Sequence, residues 1–232
     1  MTMIEESVAK LDAKLEGMPF DFAFLGGSVL TLLVTDKSAD AIRVTKDLDI
    51  MMNIRTRKEY HTADAELESR GFRHDTREDA PVCRWVLDDM TVDVLPIRSD
   101  VLGWDSTWFE EALGAADTIE LGNRHVRIVS APYFVALKLE AFEQRGKKDF
   151  LASTDFEDVI CLFNGRNCVV AEIFACEKLR DELALKFRSY LTFPELEDAI
   201  DGFVQTETEP DVRKKRILDA FRAVAAMSIE KG

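Results

Sequence analysis

The sequence predicts an α+β fold, a mixed β-sheet with helices followed by a C-terminal helical bundle. Three observations point there. Short β-like runs alternate with helical stretches through residues 1–129, while nearly all of residues 130–232 has helical period. Hydrophobic residues make up 47% and charged residues 32% of the 232-residue chain, an ordinary globular composition that excludes a disordered, collagenous or low-complexity protein. That length holds one large domain or two small ones with a real core. The expected division is a sheet domain over 1–129 and a helical domain over 130–232.

Ile4 to Leu15 reads as a surface helix. Phe22 to Leu25 reads as a short buried strand ending at Gly26-Gly27-Ser28, and Val29 to Val34 begins a second helix. Leu48 to Ile54 is a strand, and Lys58 to Arg70 is a helix stopped by Gly71. Cys83 to Leu87 and Thr91 to Ile97 form a hairpin around Asp88-Asp89-Met90. A second hairpin joins Thr118 to Leu121 with His125 to Val129 through Gly122-Asn123. The helical half opens at Ser130-Ala131-Pro132, with Ser130 as cap, and its first helix runs to about Gln144. Thr154-Asp155-Phe156-Glu157 and Thr192-Phe193-Pro194-Glu195 read as capping boxes, the first starting a helix from Asp155 to Phe163. Val212 to Met227 is the last helix.

The chain carries 44 acidic against 30 basic residues, a net charge of −14, and its first 129 residues hold most of the excess. Such a protein is unsuited to coating DNA or docking on anionic membranes, though a local basic groove remains compatible with nucleic acid. Arg213-Lys214-Lys215-Arg216 is the best such patch, and a solvated helix face is its simpler explanation. Cys83, Cys161, Cys168 and Cys176 show no paired CxxC spacing, so neither a zinc site nor a disulfide framework is expected, and all four read as buried thiols. The three histidines are scattered and none reads as a ligand. Trp104 and Trp108 read as core. No apolar run approaches the roughly 20 residues of a membrane span, and the N-terminus lacks the apolar stretch of a secretion signal. A cytoplasmic location without membrane contact is expected.

Three short elements carry chemistry. Gly26-Gly27-Ser28 sits at a strand-to-helix turn, where glycine lets the backbone approach a ligand and a helix start offers N–H groups to phosphate. Asp47 and Asp49 lie at i and i+2 of a strand, hence on one face and roughly 6–7 Å apart. Like charges so placed normally hold a cation between them. Asp93 is a third acid, flanked by Val92 and Val94. Each alone has a plain reading: a tight turn, a solvated strand edge, a solvent-facing acid. Together, in this order, they point to three carboxylates holding two divalent cations beside a loop that grips a nucleoside triphosphate.

This set resembles the signature of the nucleotidyltransferase superfamily related to DNA polymerase β. Arg43-Val44-Thr45-Lys46-Asp47-Leu48-Asp49-Ile50 resembles the basic-x-Ser/Thr-x-D-h-D-h stretch of the AbiEii/AbiGii toxin group. Lys138 to Arg145 fits that group's K-x-x-A-x-x-x-R motif and Asp155-Phe156-Glu157-Asp158-Val159 its D-x-x-D-h motif. The resemblance spans about residues 22–165 and implies a nucleotidyltransferase-type sheet whose cleft the helical domain completes. It implies catalytic and metal-binding roles for Asp47, Asp49 and Asp93, with two Mg²⁺ or Mn²⁺ ions. It implies nucleotide contacts from Gly26, Gly27, Ser28, Arg43, Thr45, Lys138, Arg145 and Asp158. Lys138, Ala141 and Arg145 share one helix face, so two cations flank a small residue where a polyphosphate can approach. Asp158 would orient Lys138 or Arg145, or accept a proton, while helix capping explains Asp155 equally well. The implied activity moves a nucleoside monophosphate from an NTP to a hydroxyl. The acceptor implied by the toxin group is an RNA end, with tRNA foremost and a cognate antitoxin as partner. Two alternatives stay open: transfer to a small molecule, as in antibiotic-modifying enzymes, and a non-catalytic nucleotide-binding scaffold.

Overall fold

We describe a computed structural model of the chain over residues 2–36, 39, 45, 47–103, 106–145, 149–204 and 209–227. Arg43 and Trp104 lie outside the described residues. The chain divides into two compact units, Met1–Leu32 with Arg43–Ser130, and Leu33–Ile42 with Ala131–Gly232.

The first unit is built on a seven-stranded mixed sheet. Strand β1 (Phe22–Leu25) runs antiparallel to β2 (Asp47–Met52), which runs parallel to β5 (Met90–Pro96). β5 pairs antiparallel with β4 (Arg84–Leu87), and β4 with the short β3 (Arg73–His74). On the other flank β1 is parallel to β7 (Arg124–Ile128), whose hairpin partner is β6 (Asp117–Leu121). The order is β3-β4-β5-β2-β1-β7-β6, so β2 and β5, which carry the acids, are central. In β2 every residue after Asp49 is buried, while Asp47 and Asp49 keep partial access. The alternation read from the sequence therefore holds where it matters for the site.

Helices complete the unit. α1 (Met3–Lys14) is closed by a capping box between Thr2 and Glu5, buries Val8 and Leu11, and is tied to β7 by Arg124, which donates to Asp12 at 2.6 Å. α2 (Gly27–Leu33) follows β1 directly, starting two residues before the predicted Val29. α3 (Arg57–Ser69) has its own capping box from Thr56 and Glu59. Two short helices, α4 (Ser99–Leu102) and α5 (Phe109–Gly114), follow β5, and Trp108 just before α5 is half-buried rather than core.

The second unit is helical: α6 (Ala131–Gln144), α7 (Thr154–Gly165), α8 (Val169–Ala175), α9 (Glu177–Tyr190), α10 (Glu195–Phe203) and α11 (Pro210–Ala225). Its core is an aromatic cluster in which Phe187 and Phe163 lie 4.7 and 4.8 Å from Phe221, centroid to centroid, and Phe142 lies 5.0 Å from Phe156. Offset and edge-on rings of this kind add to simple burial. Two predicted helix starts differ. The cap of α7 is Ser153, whose hydroxyl accepts from the Phe156 N–H at 3.3 Å, so Thr154 is already helical. Pro194, not Thr192, precedes α10, because the Thr192 hydroxyl donates back to the Ser189 carbonyl and closes the end of α9 instead. Of the cysteines, Cys83 is buried but Cys168 is exposed, against the expectation of four buried thiols.

Candidate active site

The pairing of β2 with β5 sets Asp49 directly opposite Asp93, and Asp47 two residues earlier on the same strand face. The end of β1 brings in the glycine turn, since Leu25 pairs with Asp49 and Gly26 is the next residue. Gly26 has φ of +74°, and a Cβ added there would sit 2.7 Å from the Asp49 Cγ. Glycine is thus required twice, by the backbone angle and by the carboxylate against it. Gly26, Asp47, Asp49 and Asp93 form one constellation within the first unit.

The rest of the turn behaves differently from expectation. Ser28, read as a phosphate contact, is fully buried, and its hydroxyl donates to the Leu25 carbonyl at 3.2 Å. It holds the turn closed, which leaves backbone rather than hydroxyl as the turn's polar surface. Thr45 is near the acids in sequence, and its hydroxyl donates to the Asp47 carbonyl at 3.4 Å, steadying the entry to β2.

A residue missed in the sequence stands at the centre of the set. Arg84, on β4 opposite Asp93, donates through Nε to Asp93 Oδ1 and through Nη2 to Asp93 Oδ2, each at 2.8 Å. The same Nη2 reaches Asp47 Oδ2 at 3.2 Å. The hydrogen bonds to Asp93 and the two neighbouring carboxylates hold the Arg84 pKa above its ordinary value against the effect of burial. Next to it, burial first and then the Asp93 charge push the Cys83 thiol up to about 12, so Cys83 is an inert core thiol. The signal for Arg84 lay in the hairpin. A two-residue loop, Asp88-Asp89, places Arg84 against Asp93, whereas the three-residue loop read from the sequence shifts the register by one and turns Arg84 to the other face.

The donor set fits a divalent cation by its chemistry, since three carboxylates supply hard oxygens suited to Mg²⁺ or Mn²⁺. As they stand, no three Asp, Glu, His or Cys side chains among the described residues converge closely enough to enclose an ion. Asp47 and Asp93 converge on a guanidinium instead.

The second unit holds the other predicted residues. Lys138 on α6 pairs with Asp155 at 3.0 Å and Asp158 at 2.6 Å on α7, with its side chain only 12% exposed. Arg145 is mostly exposed and donates twice to Asp155, at 2.9 and 3.0 Å. Burial opposes the Lys138 charge, yet Asp158 and Asp155 raise its pKa overall; burial likewise opposes the Asp155 charge, and Arg145 and Lys138 lower its pKa overall. Asp155 is therefore the hub of an ion network, not only a first-turn acid. The basic run on α11 is also turned inward. Arg213 is buried against Asp36 and Asn164, Arg216 donates to the Asn164 carbonyl, and Lys214 pairs with Asp201 at 3.0 Å. Only Lys215 of the four is exposed, so neither a solvated face nor a basic patch describes this run.

The fold is similar to that of a solved nucleotidyltransferase-like protein. The chain is similar to an antigenic nucleotidyltransferase-like protein from Paracoccidioides brasiliensis, with a TM-score of 0.50, 19% identity and 92% of each chain covered. At that identity the likeness concerns the fold. Looser overlaps occur with the antibiotic-resistance factor ANT(2'')-Ia: TM-score 0.45 and 14% identity over 68% of this chain and 81% of that one for its solution structure. For ANT(2'')-Ia in complex with adenylyl-2''-tobramycin the values are 0.37 and 17%, over 63% and 80%. No family model and no curated protein matches the sequence. No helix among the described residues is long and apolar enough to cross a membrane.

Proposed function

We propose that the first unit is the catalytic part of a nucleotidyltransferase that moves a nucleoside monophosphate from an NTP to a hydroxyl, releasing pyrophosphate. The observation that carries this reading is the constellation of Asp47, Asp49 and Asp93 on two in-register parallel strands, with the Gly26 backbone laid against Asp49. Asp47, Asp49 and Asp93 would hold two divalent cations, which when bound would lower the pKa of an attacking hydroxyl and neutralise the leaving pyrophosphate. Of the protein's own groups, the Gly26-Gly27 backbone positions the phosphates, and Ser28 keeps that backbone in place from below.

For the acceptor, resemblance to the AbiEii/AbiGii group supports an RNA end, and with it a toxin role and a cognate antitoxin. Charge supports the second reading, a small hydroxylated molecule. The protein carries −14, and its one basic run spends three of four cations on internal partners. Incubation with α-labelled NTP and Mg²⁺ or Mn²⁺, with total tRNA in one arm and a panel of polyhydroxylated antibiotics in the other, separates the two. Label in neither arm, and no pyrophosphate release, would leave the scaffold reading.

A further inference from the structure

Arg84 binds the same oxygens that the proposed activity assigns to a metal. Its fork takes both oxygens of Asp93 at 2.8 Å, and one nitrogen of that fork also reaches Asp47 at 3.2 Å. The Asp93 side chain is 13% exposed and the Arg84 side chain 22%, so the pair is largely screened from water. Carboxylates that close, in such surroundings, need a cation to keep their charge. Guanidinium supplies it at every physiological pH, because arginine does not deprotonate there.

A guanidinium and a divalent ion compete for these oxygens. The Arg84 fork already takes one acceptor site on each Asp93 oxygen, and two cations brought to one carboxylate repel. We propose that Arg84 is a built-in counter-ion that competes with a divalent cation for Asp47 and Asp93, so that cation binding and release of the Arg84 fork are one event. The half-exposed side of Asp47 gives the incoming ion its approach. The pair of acids is thereby kept ordered before loading, and loading requires a higher cation concentration than the bare acids would. The choice of a divalent cation rests on the nucleotidyl-transfer reading; the competition itself rests on the ion-pair geometry.

Two measurements test it without acceptor or turnover. In the 232-residue chain, Mn²⁺ binding followed by calorimetry should tighten about tenfold to a hundredfold on Arg84→Gln, the loss of a charge-assisted contact. Arg84→Lys, which keeps the charge but not the fork, should lie between. In the wild type, Mg²⁺ titration should shift the Arg84 Nε–H resonance and speed its exchange with solvent. Unchanged or weaker Mn²⁺ binding by Arg84→Gln, no binding by either protein, or an Nε–H signal indifferent to saturating Mg²⁺ would overturn the proposal. If Arg84→Gln does not fold, Arg84→Lys and the wild-type signal decide alone. Competition without nucleotidyl transfer to any acceptor would sink the proposed function and keep this inference; transfer without competition would do the reverse.

Discussion

At Asp49 a carboxylate meets both an in-register acid and a backbone that leaves no room for a side chain. Removing it relieves like-charge repulsion, so Asp49→Ala should abolish transfer of labelled nucleotide while the melting temperature holds or rises. A variant that melts early would make Asp49 a fold residue instead. Gly26→Ala should fail in the opposite way. The positive φ and the collision with the Asp49 carboxylate together cost roughly 1–3 kcal/mol, and the Asp49 carboxylate is displaced as well. Lower stability with lost activity is expected, read by thermal melts beside the transfer assay; a stable, active Gly26→Ala would remove the turn from the site. Both positions were legible in the sequence, because a glycine turn and an i, i+2 acid pair are local patterns. Ser28 was legible as a position but not as a role: the direction of a hydroxyl depends on the turn's own carbonyls, here that of Leu25.

Among the elements, the pairing of α6 with α7 depends on ions in poor contact with water. Lys138→Ala takes the 2.6 Å partner from buried Asp158 and leaves buried Asp155 to the exposed Arg145, a loss of about 3–5 kcal/mol. A fall of roughly 10 °C in melting temperature is expected. A contact with phosphate predicts another result, a raised KM for NTP with the melting temperature intact. The two expectations are separated by measuring both on one preparation. The network also sets a pH dependence. The Asp155 pKa is depressed in the fold, so its contribution is complete above the unfolded carboxylate value of about 4 and is lost as pH falls through the lower, folded value. Asp155→Asn should remove that part of the acid sensitivity, visible in melts from neutral pH down to acid. A further contact rests on Gly165, whose carbonyl accepts the N–H groups of Thr35 and Asp36 at 2.9 Å, and where a Cβ would lie 2.6 Å from Val34. Helix periods located α6 and α7 from the sequence. Their charged side chains read as a solvated or ligand-facing surface because nothing local says which helix faces which.

For the whole molecule the open choice is the acceptor, and charge decides how to test it. An RNA acceptor must approach a protein of net −14, so added salt, by screening that repulsion, should lower its apparent KM, while a small uncharged acceptor should show little change. Steady-state rates at two ionic strengths give the answer. If the toxin reading holds, induced expression should slow growth and Asp47→Ala should remove the effect. Equal growth with either protein leaves the small-molecule acceptor or the non-catalytic scaffold.

What the sequence by itself determined is what short range controls. The alternation in β2, the glycine turn after β1, the third acid on β5 and the helical period after Ser130 depend on neighbours within a few residues, and they locate the sheet, the bundle and the three acids. Only the tertiary structure decided where the counter-charges lie. Arg84 meets Asp93 through a hairpin register that one loop residue reverses, Lys138 meets Asp158 across two helices, and Arg213 reaches Asp36 across 177 positions of chain. A charged side chain is long, flexible and equally content in water, so its own sequence carries little record of its partner. Burial selects the partner, and burial is a property of the folded chain.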